Sequence, residues 1–515
     1  MSRRARPGSA HLVGAGPGDP GLLTLRAAEC LAGADLVISD ALVPEAILRS
    51  VRPGAEVIHP DRSRRLDQAA INRIMISRAR RGLRVVRLKG GDPSLFGRGG
   101  EEAAALARAG VPFEVVPGVT AALGAAATAG IPLTHRLHAS SVTFATGHVG
   151  GGKSLAASDW EAMARAGTLV VYMTMARLAS IVDGLLAAGR RAGTPAALVR
   201  WATLPEQRVV AGTLGTIVDR ARRAGLRPPA LLVVGEVVRL RPDIDWFGRR
   251  PLHGRTIVVT RARAQSASLT RPLEEAGARV LVAPAIAFRP PRSWAPVDRA
   301  LARLDRYRIL IFTSANGVAR FFDRLLLRRI DIRELHGLSI VAIGPGTAAA
   351  LESRGLRVTA VPEEYRAEGI LSVLRARSLR GIGVLIPRAE VARGLLAGEL
   401  KRRGARVDVV PVYRTVPTRE GIDEVLRALR AREVDLITFA SSSTVAHFAR
   451  KARRPREARL LRSAPAAVIG PITAEAARRR GFKVAVMPRE YTIPALAAAI
   501  VRRLRSSPSG TPRGS

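Results

Sequence analysis

The chain has 515 residues, 47% of them hydrophobic, with a mean hydropathy of +0.10 and a formal net charge of +41. That length exceeds what one hydrophobic core fills, so two to four domains are expected. No apolar run reaches the roughly 18 residues that a bilayer crossing needs. The one cysteine, Cys30, excludes a disulfide framework and a thiolate metal cluster, and suits a reducing cytoplasm. Of the 83 Lys and Arg residues only five are lysine, and they are spread along the whole chain. So large a charge concentrates polyanions near the surface, and it points to an anionic ligand rather than to a specific nucleic-acid partner. The opening MSRRARPGSAHLVG has adjacent arginines but no apolar stretch behind them, so it is expected to be a ragged end and not an export signal. His135 and His138 are three apart, which is not H-x-x-x-H spacing, and no metal site is expected.

In chain order, AHLVGAG reads as a strand, followed by a helix from Gly21. The strands ADLVISD and RVVRLKG come next, then a helix from Gly100, the strand FEVVPG, a helix from Thr120 and the strand SVTFATG. Alternation of this kind is the α/β pattern. Periodicity stops at RLRPDIDWFGRRPLHG (239–254), where Pro, Gly and charge accumulate and a domain boundary is expected. Beyond it the chain repeats itself: 256–288 matches 383–415, 309–322 matches 436–449, and 339–365 matches 466–491, at an offset of 126–127 residues. A repeat this long implies a duplicated α/β unit with a cleft between two lobes. The tail SSPSGTPRGS from Ser506 has no apolar content and is expected to be disordered.

The loops carry the chemistry. Gly16, Gly18 and Gly21 satisfy G-x-G-x-x-G, with Asp40 ending the next strand, a spacing that imitates a dinucleotide fingerprint. Two prolines inside that loop remove N–H groups where a pyrophosphate would need donors, which argues against it. The stretch VVRLKGGDPSLFGRGGEE (85–102) has a glycine loop but no Gly-Lys-Ser/Thr, so a triphosphate has no cradle. Gly90 and Gly91 allow close approach of the backbone, and Asp92 offers a carboxylate to a hydroxyl or a cation, which suits a zwitterionic or nucleoside-like ligand. In the repeat, Arg261 and Arg388, Ser314 with Asn316 and Ser441 with Ser442, and Thr347 and Thr473 follow strands and open helices. They either cap those helices or line a multidentate receptor for an anion.

Several motifs then occur together: GAGPGDPGLLTLRAAECL, VVRLKGGDPSLFGRGGEE, VVPGVTAALGAAATAGIPLTHR, SVTFATGH, VVYM and LPEQRVVAGTL. Over roughly residues 10–240 the chain resembles uroporphyrinogen-III C-methyltransferases. The region 253–505, with SAN, IGPxTA and VY in order, resembles uroporphyrinogen-III synthases. The first resemblance implies a two-lobed tetrapyrrole-methylase fold with S-adenosylmethionine as methyl donor. Pro17, Gly90, Gly91, Asp92, Leu95, Thr120, Ala121, Met173, Ala202 and Ala230 would line the donor pocket, and Asp40 would accept a proton. A turn or helix cap is the other reading of Asp40. The family's Gly-Lys-Arg stretch is replaced by IHPDRSRRLDQ (58–68), where Arg62 or Arg64 would hold the place of a proton-donating lysine and bind a substrate carboxylate instead. Thr128 replaces a frequent tyrosine, and Thr174 replaces a glycine, which would crowd the donor pocket. The second resemblance implies a two-lobed α/β fold without a cofactor, in which Tyr413 assists departure of hydroxide and Thr473 lies in the cleft. A buried structural role is the other reading of Tyr413. Arg261, Ser314, Asn316, Arg388 and Ser442 would bind substrate.

The expected domains are therefore a methyltransferase (10–240), a linker (241–252) and a synthase (253–505), whose lobes are 253–288 with 414–505, and 289–413. The expected activity is cyclisation of hydroxymethylbilane to uroporphyrinogen III, followed by methylation at C-2 and C-7 to precorrin-2. The enzyme is expected in the cytoplasm, acting on small tetrapyrroles, without a membrane, as a homodimer through its methyltransferase half. The competing readings are a related corrin or ribosomal-RNA methyltransferase, and an arginine-rich nucleic-acid binder.

Overall fold

The computed structural model describes residues 8–59, 66–147, 156–375, 378–391 and 394–505. Arg62, Arg64 and the tail from Ser506 lie outside the described residues. The chain forms two compact units, one built on residues up to Arg255 and the other on Thr256–Arg271 with Val280–Ile500. No helix among the described residues is long and apolar enough to cross a membrane.

The first unit holds two five-stranded sheets. Strands β1 (Ser9–Gly14), β2 (Leu36–Ser39), β3 (Glu56–Ile58), β4 (Arg84–Lys89) and β5 (Phe113–Val116) lie in the order β3-β2-β4-β1-β5. All of these pairings are parallel. The inner strands are largely buried because helices cover both faces, and β4 buries Arg87 and Lys89 among its apolar residues. Ala10, Leu12, Val85 and Ile38 pack in one cluster, with Met75 and Leu106, while Val13, Val86 and Val37 pack in another, with Leu31. Thr24 and Asp67 open helices Leu25–Gly33 and Gln68–Arg80 by accepting backbone N–H bonds from Ala27 and Ala70. The central strands β1 and β4 send their connections to opposite sides, so their carboxyl ends form the crevice where ligands of open α/β sheets bind.

The second sheet of this unit comprises β6 (Val142–Thr146), β7 (Thr168–Tyr172), β8 (Pro195–Arg200), β9 (Arg208–Thr213) and β10 (Ala230–Val234), in the order β6-β7-β10-β8-β9. The stretch expected to be a bare linker is packed within this unit. Phe247 and Leu252 are buried, and the Trp246 indole N–H donates to the Ala127 carbonyl at 2.8 Å. Its anchors are isolated residues in turns, which leave no periodic trace in sequence.

The second unit repeats one plan twice. Strands β11 (Thr256–Val259), β12 (Arg279–Val282), β18 (Leu436–Phe439), β19 (Ala466–Val468) and β20 (Val484–Val486) form one sheet, in the order β12-β11-β18-β19-β20. Strands β13 (Ile286–Arg289), β14 (Ile309–Phe312), β15 (Ser339–Ala342), β16 (Gly383–Ala389) and β17 (Arg406–Pro417) form the other, in the order β13-β17-β16-β14-β15. Each sheet thus takes the first strands of one repeat and the last strands of the other. The repeat is visible down to single contacts. Phe312 and Phe321 meet edge to face at 5.5 Å, as Phe439 and Phe448 do at 5.6 Å. Gly344 lies under the Tyr365 ring as Gly470 lies under that of Tyr491. The lobe boundaries differ slightly from expectation. Strand β13 runs antiparallel to the end of β17, from Ile286↔Pro417 to Arg289↔Arg414, so the chain changes sheet before Ile286 and returns after Pro417. A ladder shared by both crossings keeps these residues together, and the sequence repeat alone does not mark its ends.

Candidate functional site

In the first unit the carboxyl ends of β1, β2 and β4 meet the second sheet around a cavity of about 560 Å³. The loop after β1 and the loop after β4 clasp each other: Gly91 N–H donates to Gly16 O at 2.8 Å and Gly16 N–H to Gly91 O at 3.2 Å. Both glycines have positive φ, 72° and 68°. Gly118, after β5, closes on this pair so tightly that a Cβ there would lie 2.2 Å from Gly91 O.

Pro17, Gly90, Gly91, Asp92 and Leu95 line the cavity from the first sheet, Thr120 and Ala121 from the start of helix Ala121–Ala129, and Met173, Ala202 and Ala230 from the second sheet. Asp40 lines it too. Sequence reasoning missed Phe96, Tyr172 and Trp201, which also line it. The Tyr172 hydroxyl shares a 2.7 Å hydrogen bond with Thr120 and accepts from Ala122 N–H at 3.1 Å, and burial pushes its pKa up. Phe96, Met173 and Trp201 have φ near +50°, a left-handed backbone costing roughly 1–3 kcal/mol at each non-glycine residue. Three such positions facing one cavity mark a site where shape outweighs local comfort.

One expectation changes here, that for Thr174, and Asp92 and Thr128 have partners that the sequence did not show. The Asp92 carboxylate lines the cavity and is also held within the protein: Oδ1 accepts from Ser94 N–H at 2.7 Å and Oδ2 from Gly118 N–H at 2.9 Å. It staples the β4 loop to the β5 loop. Thr174 does not crowd the cavity. Its side chain is buried and donates to Ala230 O at 3.3 Å, outside the lining. Thr128, at the place of a frequent tyrosine, joins a buried network. Its hydroxyl bonds Gly124 O and Gln207, and Gln207 Oε1 also accepts from Thr203 N–H.

Asp40 directly follows β2, with its side chain 34% exposed. Its Oδ1 accepts from Arg87 Nη2, and Gly90 N–H reaches Oδ2 at 3.3 Å. Arg87 and Lys89 sit two apart on one face of β4, both buried, and converge on Glu102 of helix Gly99–Arg108. Burial alone would lower the Arg87 pKa, but the Asp40 and Glu102 charges outweigh it and the net shift is upward. Two cations at alternating positions near the end of β4, followed by an acidic helix turn, were the sequence signal for this cluster. Elsewhere His11, Cys30 and Glu114 bring a ring nitrogen, a thiol and a carboxylate within 4.8 Å of one another. Both Glu114 carboxylate oxygens accept from one edge of the Arg26 guanidinium, from Nε at 2.9 Å and Nη2 at 2.6 Å, which sets a cation beside any metal there.

In the second unit the candidate residues lie at or beyond the carboxyl ends of parallel strands. Arg261 follows β11, Ser442 follows β18 and buried Thr473 follows β19. Ser314 and Asn316 follow β14, Arg388 lies near the end of β16, and Tyr413 lies in β17. Ser314 and Ser441 are helix caps, accepting from Gly317 N–H at 3.0 Å and Thr444 N–H at 3.2 Å. Ser314 Oγ also shares a 3.2 Å hydrogen bond with the Tyr413 hydroxyl, whose ring meets Phe288 edge to face. Burial lowers the Arg261 pKa. Sequence reasoning missed Lys451. It is buried, its ammonium donates to Glu420 O at 3.1 Å, and burial brings its pKa down to about 8.

A family model for tetrapyrrole (corrin/porphyrin) methylases matches residues 10–218, and one for the uroporphyrinogen-III synthase HemD matches residues 267–498. The porphyrin biosynthesis protein HemD of Ruminiclostridium josui is 36% identical over 482 residues, which cover 93% of this chain and 95% of that protein. The chain belongs to this family of fused methylases and synthases. Its methylase unit is also similar to other proteins over shorter spans. The sirohaem synthase of Azotobacter vinelandii is 51% identical over 247 residues, 47% of this chain and 53% of that protein. The uroporphyrin-III C-methyltransferase of Thermus thermophilus, solved with S-adenosyl homocysteine, is 43% identical and covers 45% of this chain and all of that one, with a TM-score of 0.41. The synthase unit holds Tyr413, Ser314 and Lys451, and the methylase unit holds the cavity with Asp40.

Proposed function

We propose that the synthase unit cyclises hydroxymethylbilane to uroporphyrinogen III and that the methylase unit methylates this product at C-2 and C-7, giving precorrin-2. The observation that carries the methylase reading is the single cavity lined by Asp40 and by residues from both sheets. Its walls are mostly apolar, its floor is glycine backbone, and few polar groups enter it, which fits a nucleoside-sized zwitterion such as S-adenosylmethionine. When bound, that donor supplies an electrophilic methyl group. The chain's own residues hold it through the Gly16–Gly91 clasp and the Thr120–Tyr172 pair, and the rings of Phe96 and Trp201 exclude water. Methylation of a pyrrole carbon leaves a proton to be removed, and Asp40 is the carboxylate at the cavity that receives it.

In the synthase unit, hydroxide must leave the hydroxymethyl carbon before the terminal ring inverts. The Tyr413 hydroxyl, held by Ser314, protonates the departing oxygen. Helix starts at Ser314 and Ser441 and the arginines at 261 and 388 meet substrate carboxylates. The enzyme works in the cytoplasm, and its methylase unit forms a homodimer. The test is incubation with hydroxymethylbilane, with and without S-adenosylmethionine. Type III uroporphyrinogen without the donor and a dimethylated product with it support the reading. Type I product alone refutes the synthase half, and unmethylated type III in the presence of donor refutes the methylase half.

A further inference from the structure

We propose that Arg87, itself oriented by buried Glu102, is a positioning residue that aims the Asp40 carboxylate for proton removal; the proposal rests on the methylase reading above.

The four side chains form a directed chain of contacts. Lys89 Nζ meets Glu102 Oε2 at 2.9 Å. Glu102 Oε1 accepts from Arg87 Nε at 2.9 Å and from Gln68 Nε2 at 2.9 Å. Arg87 Nη1 donates to the carbonyls of Ile38 and Leu88 at 3.2 and 3.3 Å, and Nη2 donates to Asp40 Oδ1. Every nitrogen of the guanidinium is therefore fixed. The side chains of Lys89, Glu102 and Arg87 are 1%, 0% and 5% exposed, while that of Asp40 is 34% exposed. The two cations and two anions balance.

Stability is a poor reason for such a cluster, because a buried ion network is often no better than apolar packing of the same volume. Its geometry offers another. The network has one partly exposed member, and that member lines the cavity. Arg87 occupies Oδ1 and leaves Oδ2 with only the long Gly90 N–H contact among the described residues. Oδ2 is then the oxygen that takes the proton. The methylated carbon already carries an acid side chain and becomes quaternary, and the ring is left as an iminium cation. The N–H bond of that ring or a C–H bond of the adjacent bridging carbon breaks, its electron pair neutralises the ring, and the proton passes from Asp40 to solvent. A base-and-orienter pair of this kind gains rate through fixed geometry, and a misplacement of about 1 Å costs roughly a hundredfold.

The test compares Arg87→Lys, Glu102→Gln, Asp40→Asn and Arg87→Lys combined with Asp40→Asn in the full chain. Methylation kinetics are read on uroporphyrinogen III, binding of S-adenosylhomocysteine by calorimetry, and cyclisation of hydroxymethylbilane as a control. Lysine keeps the charge but cannot span Glu102 and Asp40 together. The expected result for Arg87→Lys is a kcat lower by roughly tenfold to a hundredfold, with KM and S-adenosylhomocysteine affinity within about threefold of wild type. Glu102→Gln should lower kcat in the same sense, and Arg87→Lys should cost nothing further once Asp40 is Asn. Wild-type kcat in Arg87→Lys, full activity in Asp40→Asn, or losses that multiply in the double variant would overturn the proposal. So would loss of S-adenosylhomocysteine binding in both Arg87→Lys and Glu102→Gln, which marks a purely structural role. If wild-type protein methylates no uroporphyrinogen III at all, the failure lies with the methylase reading itself.

Discussion

Replacing Gly118 by alanine perturbs the methyl-donor cavity through a single atom. The new Cβ would sit 2.2 Å from Gly91 O and 2.8 Å from Gly14 Cα. A comfortable C···O approach is about 3.3 Å, so the β4 loop or the β5 loop must retreat by about 1 Å. That retreat pulls on three contacts: the two Gly16–Gly91 hydrogen bonds and the Asp92 bond to Gly118 N–H. At a net value of about 1 kcal/mol for each bond, the lost preorganisation is about 2–3 kcal/mol. The affinity for S-adenosylmethionine should then fall roughly thirtyfold to a hundredfold and more. Calorimetric titration with S-adenosylhomocysteine reads this directly, and cyclisation of hydroxymethylbilane, carried by the other unit, should stay unchanged. Wild-type affinity in Gly118→Ala would show that the clasp does not shape the ligand site.

Tyr413→Phe should slow formation of the type III isomer while leaving the fold intact, and Ser314→Ala should slow it less, because Gly317 N–H loses its cap but the phenol remains; product isomer ratios by chromatography decide both. Lys451 gives a pH signature. Its pKa is about 8 when folded, below its ordinary value of 10.5, so between these values the unfolded chain binds the extra proton and stability rises with pH. Relative to Lys451→Met, the wild-type melting temperature should climb from pH 8 to pH 10, and a flat difference would refute a buried ammonium. Gln207→Ala removes hydrogen bonds to the Thr128 hydroxyl, the Thr128 carbonyl and Thr203 N–H, and should cost about 2–3 kcal/mol in denaturant unfolding of the methylase unit.

The α/β class, the duplicated second half and the glycine loops were legible because they are local or periodic. Strand alternation shows in apolar runs, and a 126–127-residue offset shows in simple comparison. The loops after β1 and β4 announced close backbone approach through their glycines, and resemblance to a known family supplied their ligand. Asp92 shows the limit of that reading: the residue type suggested a carboxylate at the ligand site, and it lines the cavity, but the sequence did not show that its oxygens also accept from Ser94 and from Gly118, 26 residues away. Thr174 shows it again, since its hydroxyl turns to the Ala230 carbonyl on a neighbouring strand.

What the amino-acid sequence determined by itself was therefore the set of elements, their repetition and the chemistry available at each strand end. Tertiary structure alone decided which of those groups are already satisfied. A side chain's partners depend on what lies across a sheet or in the next helix, and no local pattern encodes that. Arg87, Lys89 and Glu102 were three charges in a stretch otherwise read for its glycines. Only the tertiary fold brings Glu102 of helix Gly99–Arg108 onto the two cations of β4, and burial makes each depend on the others and on Asp40.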